Sequence, residues 1–500
     1  MNKLVEQQQI IDIPKNASTF KRFLAYIGPG ALVAVGYMDP GNWSTAITGG
    51  QYFKYPLLSV ILLSSLIAMF LQALAAKLGV ITQLDLAQAT KKYTNKYIAF
   101  GMWIIAELAI MATDIAEVLG AAIALYLLFK IPLLIAVLLT IFDVFLLLLL
   151  IKIGFRKIEA LVMCLIAIIL FIFIYQISLS NLGFKELLAG FLPSKFIFHQ
   201  TPTIDGQTPL SASLGIIGAT IMPHNLYLHS AIVQIRQVDS NEPLSVKQHL
   251  RYTLMDSNLQ LTIALVINVL LLIMGVAIFK NHSIKDPSFF GLYEALNNPQ
   301  LMQNNLLAQV AKSGLLATLF AIALLASGQN STITGTLTGQ IIMEGFVNFK
   351  VPIWLRRLIT RLLAVTPVVL CMVFIPHRTA IAEHNILNQL MIDSQIFLAV
   401  ALPFSIIPLL LITSNKQIMG NFCNSWLSQL LGWGSTFLLL FLNLQNITSQ
   451  LSEMLQPFLA TTTVNFISKS TIFIIIAGLL IVTISLINHL PRKKTSSINK

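Results

Sequence analysis

A carboxylate and an amide stand three residues apart inside the first long apolar run: Asp39 and Asn42, in the stretch VGYMDPGNWS at residues 35 to 44. Pro40 and Gly41 lie between them, so the chain breaks a helix where it also places two oxygen donors. A second apolar run is interrupted in the same way: GATIMPHNLYLHS, residues 218 to 230, sets Met222 directly before Pro223. Carboxylate, amide oxygen, thioether sulfur and a carbonyl freed by unwinding, such as that of Ala219, make a ligand set for a cation. Oxygens alone suit Mg²⁺ or Ca²⁺, whereas a sulfur shifts the preference toward Mn²⁺, Fe²⁺ and later transition metals. A methionine by itself is ordinary apolar packing, and its place before a helix-breaking proline brings the ligand reading level with that one.

A second group of residues could carry protons. Glu107, Asp114 and Glu117 share one apolar run. At 100° per residue, Glu107 and Asp114 fall about 20° apart and Glu117 about 60° away, so all three occupy one helix face. Carboxylates along such a face are poor anchors in lipid and a plausible proton route. The run that holds Met222 also holds His224, His229 and Arg236, the last two seven apart and so expected on one face of a single helix. Histidine titrates near physiological pH. Arg236 could hold Asp114 or Glu117 ionised, or take part in a switching pair. The plainer reading is that these groups are ion pairs packing one helix on another, and a transport network has to satisfy that requirement too.

The elements that position these groups are membrane spans. The chain has 500 residues, 56% of them hydrophobic and only 10% charged, with a mean hydropathy of +0.79. A soluble chain carries roughly 25% charged residues. Apolar runs long enough for a bilayer of about 30 Å recur throughout. Twelve are expected, near 25–49, 57–78, 101–128, 131–151, 158–178, 211–235, 253–279, 306–338, 358–375, 387–413, 428–445 and 472–489. The first 20 residues are polar, so no cleavable signal peptide is expected. Cys164, Cys371 and Cys423 are too scattered for a disulfide framework or a thiolate metal site. The net charge of +12 does not point to nucleic acid. Of the 32 Lys and Arg, only Lys54, Lys130, Lys185, Lys195, Lys280, Lys285, Lys312, Arg378 and Lys469 fall on the side opposite the N-terminus. That asymmetry places both termini in the cytoplasm and leaves the basic balance to topology and anionic lipid.

Spans 1 and 6 open two successive groups of five. Interrupted spans at matching places in two halves are the strongest sequence pointer to a transport site at the midplane. Unwinding in lipid is tolerated only where the freed backbone lines a cavity or binds something.

GYMDPGNWST and GATIMPHNLYLHS resemble the two signature motifs of the Nramp family of divalent metal transporters. AELAIMATDIAEVLG (106–120), GFRKIEA (154–160), LLASGQNSTITGTLTGQIIMEGF (324–346) and WLRRLITRLLA (354–364) agree with it, over residues 20 to 420. The resemblance implies an all-α, LeuT-type fold of two inverted five-helix repeats, about 25–178 and 211–413. To these are added a tail at 1–24, two further spans at 414–490 and a basic tail at 491–500. It implies import of Mn²⁺ or Fe²⁺ together with protons, as in the manganese-importing bacterial branch. The metal would be held by Asp39, Asn42, Met222 and the carbonyl of Ala219, with protons passing Asp114, Glu117 and Arg236. In the family the histidine at 229 is proposed to couple protons to metal, with that at 224 supportive. Many relatives have Asp where this chain has Ala46, which bears on coupling.

Asn268 and Gln395 could complete the metal shell in an occluded state, although an isolated amide in a span is more often a helix–helix hydrogen bond. Gln329 and Asn330 read as close helix packing, and RKIEA and RRLITR as cytoplasmic ionic gates and interfacial anchors. The alternative function is a cation-coupled amino acid transporter of the same fold, which has no use for a paired Asp and Met. An intramembrane metalloenzyme lacks its HExxH motif. The expectation is therefore a transporter in the plasma membrane of a bacterial cell, not an enzyme. It is expected to have no resident cofactor, no nucleic-acid partner and a monomeric state.

Overall fold

The computed structural model describes residues 19–143, 155–180, 182–204, 207–236, 243–279, 288–302, 305–347, 352–373, 380–455 and 460–491. Most of the expected 1–24 tail, nearly all of the 491–500 tail and the second half of span 4 lie outside them. Among the described residues the only extended pairing is an isolated bridge between Ile204 and Gln207; the rest is helix and connection.

Among the described residues, eight helices are long and apolar enough to cross a membrane: Tyr55–Thr82, Lys96–Phe129, Arg156–Ser178, Val246–Val276, Leu315–Val347, Ile386–Thr413, Trp426–Leu444 and Thr461–His489. They are spans 2, 3, 5, 7, 8, 10, 11 and 12. The other four expected spans fall short for identifiable reasons. Span 1 is split into Pro29–Val35 and Pro40–Phe53, and span 6 into Pro209–Thr220 and Pro223–Ile232. Span 4 is described only as Leu133–Leu139 and Thr140–Phe142. Span 9, Ile353–Val373, carries three arginines.

Several boundaries shift. Span 8 begins at Leu315, not 306, because Asn305–Lys312 is a separate amphipathic helix ended by Gly314 at a φ of +74°. Span 6 ends at Ile232 and gives way to a 3-10 turn at Val233–Ile235, which leaves Arg236 in extended backbone. The assumption of one continuous helix carrying His229 and Arg236 on a shared face is therefore wrong.

The split spans sit at the centre, packed against spans 3, 7, 8 and 10. Small residues set these distances. A Cβ on Gly50 would lie 2.3 Å from the Leu272 carbonyl oxygen, and one on Gly275 would lie 2.4 Å from that of Ile47. The second half of span 1 and span 7 thus touch backbone to backbone, each through the other's glycine. Spans 11 and 12 lie outside this core. Trp426 is 75% exposed and Phe473 73%, as lipid-facing side chains would be.

The N-terminal half of span 1 is held differently, by polar groups. Asp256 of span 7 accepts from the Gly30 amide at 2.7 Å and from that of Gly28 at 3.4 Å, filling donors that a helix start leaves open. The Tyr26 hydroxyl and His249 Nδ1 are 2.9 Å apart, and the Tyr26 ring stacks on Tyr252 at 5.1 Å.

Gly50→Ala should therefore lower the unfolding midpoint of the detergent-purified protein, by about 1–3 kcal/mol for overpacking against a backbone that cannot yield. Gly434→Ala, where an added Cβ meets nothing within 4 Å, is the control and should leave the midpoint unchanged.

Candidate metal site and its carboxylate–arginine network

In an unbroken helix the carbonyls of Gly36 and Ala219 would accept from residues 40 and 223. Both are prolines and have no N–H to give. One side chain serves both orphans. The Asn42 Nδ2 group donates to the Ala219 oxygen at 2.8 Å and to the Gly36 oxygen at 3.4 Å, and also to Asp39 Oδ1 at 2.8 Å. Asp39 caps the helix Pro40–Phe53, accepting from the Asn42 amide at 3.0 Å. The remaining carbonyls of the unwound turn are also satisfied. Tyr37 O accepts from Asn268 Nδ2 at 2.8 Å, and Met38 O from Trp43 Nε1 at 2.9 Å and Ser327 Oγ at 2.5 Å.

The structure thus brings Asp39, Asn42 and Ala219 together. Asp39 is fully buried, and its Oδ2 has no hydrogen-bond partner among the described residues. Met222 caps Pro223–Ile232 in extended backbone and is fully buried against Ala109 and Ala112 of span 3 and Leu398 and Ala401 of span 10. Gln395 lies one turn from Leu398, and a Cβ on Gly41 would fall 2.0 Å from its amide nitrogen. Its Oε1 and the Oδ1 of Asn268 are buried without partners among the described residues. Two helices, Pro29–Val35 and Pro209–Thr220, end at this point, so their carbonyl ends contribute negative partial charge beside the carboxylate. The oxygens of Asp39 and Ala219 and the Asn42 amide thus meet at one point, while Met222, three residues after Ala219, packs against spans 3 and 10.

The carboxylates of span 3 have partners that the sequence reading missed. Arg357 of span 9 bridges Asp114 and Glu117, 2.9 Å from Glu117 Oε2 and in close contact with Asp114 Oδ1. Arg361 lies 3.4 Å from Glu117 Oε2 and 2.6 Å from Asp143 Oδ2 of span 4. Glu117 also accepts from Ser331 Oγ at 2.8 Å and Thr332 Oγ1 at 3.2 Å. A Cβ on Gly335 would stand 3.0 Å from Glu117 Oε1. The Gly/Ser/Thr section of span 8 is therefore more than close packing: it solvates a buried carboxylate. Glu107 stands apart from the other two and pairs with Arg356 at 2.7 Å.

Arg236 does not meet Asp114 or Glu117, contrary to expectation. Its helix has ended, and the guanidinium turns to Glu159 of span 5 at 3.2 Å and to the carbonyls of Ala25 at 3.0 Å and Ile27 at 3.2 Å. Arg156 joins the same knot, 2.9 Å from Glu159. RKIEA therefore does hold the N-terminal half of span 1. RRLITR is no interfacial anchor, because Arg357 and Arg361 are fully buried. Its i, i+4 spacing inside an apolar helix was the available signal. His229 Nδ1 sits 2.9 Å from Gln72 Oε1, and Gln72 donates to the Tyr37 hydroxyl at 2.8 Å. His224 Nδ1 is 3.5 Å from Thr113 Oγ1, beside Asp114.

Arg357→Gln leaves two carboxylates buried side by side and should cost about 3–5 kcal/mol of stability. Adding Asp114→Asn should recover part of that. Denaturation of the purified variants in detergent is the measurement, and unchanged stability in Arg357→Gln would remove its bridging role.

The Nramp profile, described as natural resistance-associated macrophage protein-like, matches residues 30–449. The chain is 49% identical over 448 residues to a divalent metal cation transporter MntH of Levilactobacillus brevis, covering 90% of this chain and 94% of that one. It is 51% identical over 443 residues to a protein of the same name from Latilactobacillus sakei, covering 89% and 93%. Among solved structures, a mutant of the Eremococcus coleocola manganese transporter superposes with a TM-score of 0.91 at 56% identity, covering 96% of this chain and 98% of that one. Mhp1, a nucleobase-cation-symport-1 family transporter, shares the fold at 13% identity and a TM-score of 0.51, covering 93% and 92%. With broken spans 1 and 6 at its centre and this likeness along nearly its whole length, the chain is a multi-pass membrane protein of LeuT-type fold and belongs to the Nramp family of transporters.

Proposed function

We propose that the protein imports divalent transition-metal ions, Mn²⁺ first and Fe²⁺ with it, coupled to protons by alternating access. We place it in the plasma membrane of a bacterial cell, with both termini in the cytoplasm. The observation that carries the reading is the pair of broken helices joined through Asn42, with an unpartnered Asp39 oxygen at one break and a buried Met222 at the other. The relatives named above as metal transporters support it.

The Asn42 amide group bonds the oxygens that a cation would take: Asp39 Oδ1 and the carbonyls of Ala219 and Gly36. A partly dehydrated metal ion displaces that NH₂ group, and the side chain turns its own oxygen inward as a ligand. Met222 supplies the soft donor, and Gln395 and Asn268 present free oxygens from spans 10 and 7. Ca²⁺ gains little from a thioether, whereas Mn²⁺ and Fe²⁺ gain more. The site is sealed, with Asp39, Ala219 and Met222 fully buried and Asn42 3% exposed, as an occluded intermediate requires.

For the protons, charge arithmetic favours the network of spans 3, 4 and 9. Asp114, Glu117 and Asp143 face two guanidiniums, Arg357 and Arg361. The cluster is one negative charge over when fully ionised and neutral with one proton aboard, and a low-dielectric site favours neutrality. Arg357 can stay with either carboxylate while the other is protonated. His224, through Thr113, is the histidine nearer this cluster. A route through His229 would first need it to leave Gln72.

Mn²⁺ uptake into proteoliposomes in a large excess of Ca²⁺ tests the metal reading. Wild type should take up Mn²⁺ despite the Ca²⁺, and Met222→Ala should lose that discrimination; a mutant that discriminates as well as wild type would remove the soft ligand. A pH dye trapped in the lumen should report acidification with uptake in wild type and none in Asp114→Asn.

A further inference from the structure

At the end of span 3 remote from the N-terminal tail, a cleft of about 430 Å³ opens between that span, the short helix Phe289–Asn297 and the start of span 10. The proposed topology puts this cleft outside the cell. Its lining is partly aromatic and basic: Lys130 lies 4.9 Å from the Tyr293 ring centre and 5.9 Å from that of Tyr126. The lining also carries donors suited to a transition metal, the His384 imidazole and the Glu294 carboxylate. The His384 ring stacks flat on Phe290, with centroids 3.7 Å apart and planes inclined by 6°, which fixes the direction of its nitrogens.

The same face of span 10 continues inward. At 100° per residue, His384, Asn388, Met391 and Gln395 all fall within about 60° of one another. Asn388 accepts from Ser44 Oγ of the second half of span 1 at 2.7 Å. Met391 is fully buried. Gln395 lies against Gly41, inside the break. A line of imidazole, amide, thioether and amide therefore runs from the cleft to the central site, with no cation on it. The Ser44–Asn388 hydrogen bond closes it midway.

We propose that this cleft is the loading site for the incoming divalent transition metal, with His384 and Glu294 as its first protein ligands and the His384–Asn388–Gln395 face as its path inward. This rests on the metal-transport reading and adds to it an entrance and a place for closure. Lys130, held over the Tyr293 and Tyr126 rings in the same cleft, opposes occupancy by charge, so the loading site is weak and releases its ion inward. Glu294 is exposed, so its attraction is screened by salt.

Initial rates of Mn²⁺ uptake by the full chain in proteoliposomes test this. His384→Ala should raise KM roughly tenfold, as the loss of one modest contact would, with kcat held. Glu294→Gln should do the same to a lesser degree, and Lys130→Gln should lower KM. A purely structural role for these residues would lower kcat or yield, and would not move Lys130→Gln in the opposite direction. Water-proton relaxation by Mn²⁺ in detergent gives a second readout. Asp39→Asn should keep weak binding that Asp39→Asn/His384→Ala loses. If wild type transports Mn²⁺ while KM is unchanged in His384→Ala and Glu294→Gln, the loading site is wrong and the central site stands. If wild type moves no metal, the transport reading itself falls and takes this one with it.

Discussion

Two prolines remove two hydrogen-bond donors from the middle of a membrane protein, and the central architecture answers that loss. A carbonyl without a partner in hydrocarbon costs several kcal/mol, so each proline obliges the structure to find a donor elsewhere. One amide, that of Asn42, supplies it to the carbonyls of both Gly36 and Ala219. The bridge also ties spans 1 and 6, the two broken elements, to each other. Asn268 and Ser327 satisfy the rest of the unwound turn from spans 7 and 8, so the scaffold around the break is specified by polar contacts as well as by packing.

The buried charges follow a related rule. A lone carboxylate in the core is untenable, and a carboxylate with one guanidinium is a closed pair. Glu107 with Arg356 is such a pair. Asp114, Glu117 and Asp143 around Arg357 and Arg361 are not closed: they share counter-charges unequally and lean on hydroxyls of span 8. These side chains therefore pack span 3 on spans 4, 8 and 9 through ion pairs and hydrogen bonds, as the plainer reading of them required.

The breaks, the shared face of span 3 and the fold class were legible in the sequence because each rests on local spacing: a proline four residues after an orphaned carbonyl, three carboxylates within an arc of about 80°. What was not legible depended on where helices end and which of them meet. Arg236 was assigned to span 3 on the assumption that its helix continued; the backbone leaves the helical path at Val233, and the guanidinium finds Glu159 instead. RRLITR reads as an ionic gate and interfacial anchor; the structure buries Arg357 and Arg361 in ion pairs with span 3, and their i, i+4 spacing was the same kind of signal that singled out Glu107, Asp114 and Glu117. Gln72, a lone amide in span 2, gave no signal at all, yet it decides what His229 bonds to.

The two halves of span 1 are secured by different kinds of contact. The second half meets span 7 through glycines, backbone on backbone, with no room for water. The first half meets spans 5, 6 and 7 through Asp256, Glu159, Arg236 and Tyr26, groups that water can serve as well as protein can. Parting either half from the core would uncover buried apolar side chains, Ala31 to Val35 on the first and Trp43, Ala46 and Ile47 on the second. What sets the first half apart is that its polar contacts, unlike the glycine seam, are of a kind that water can replace.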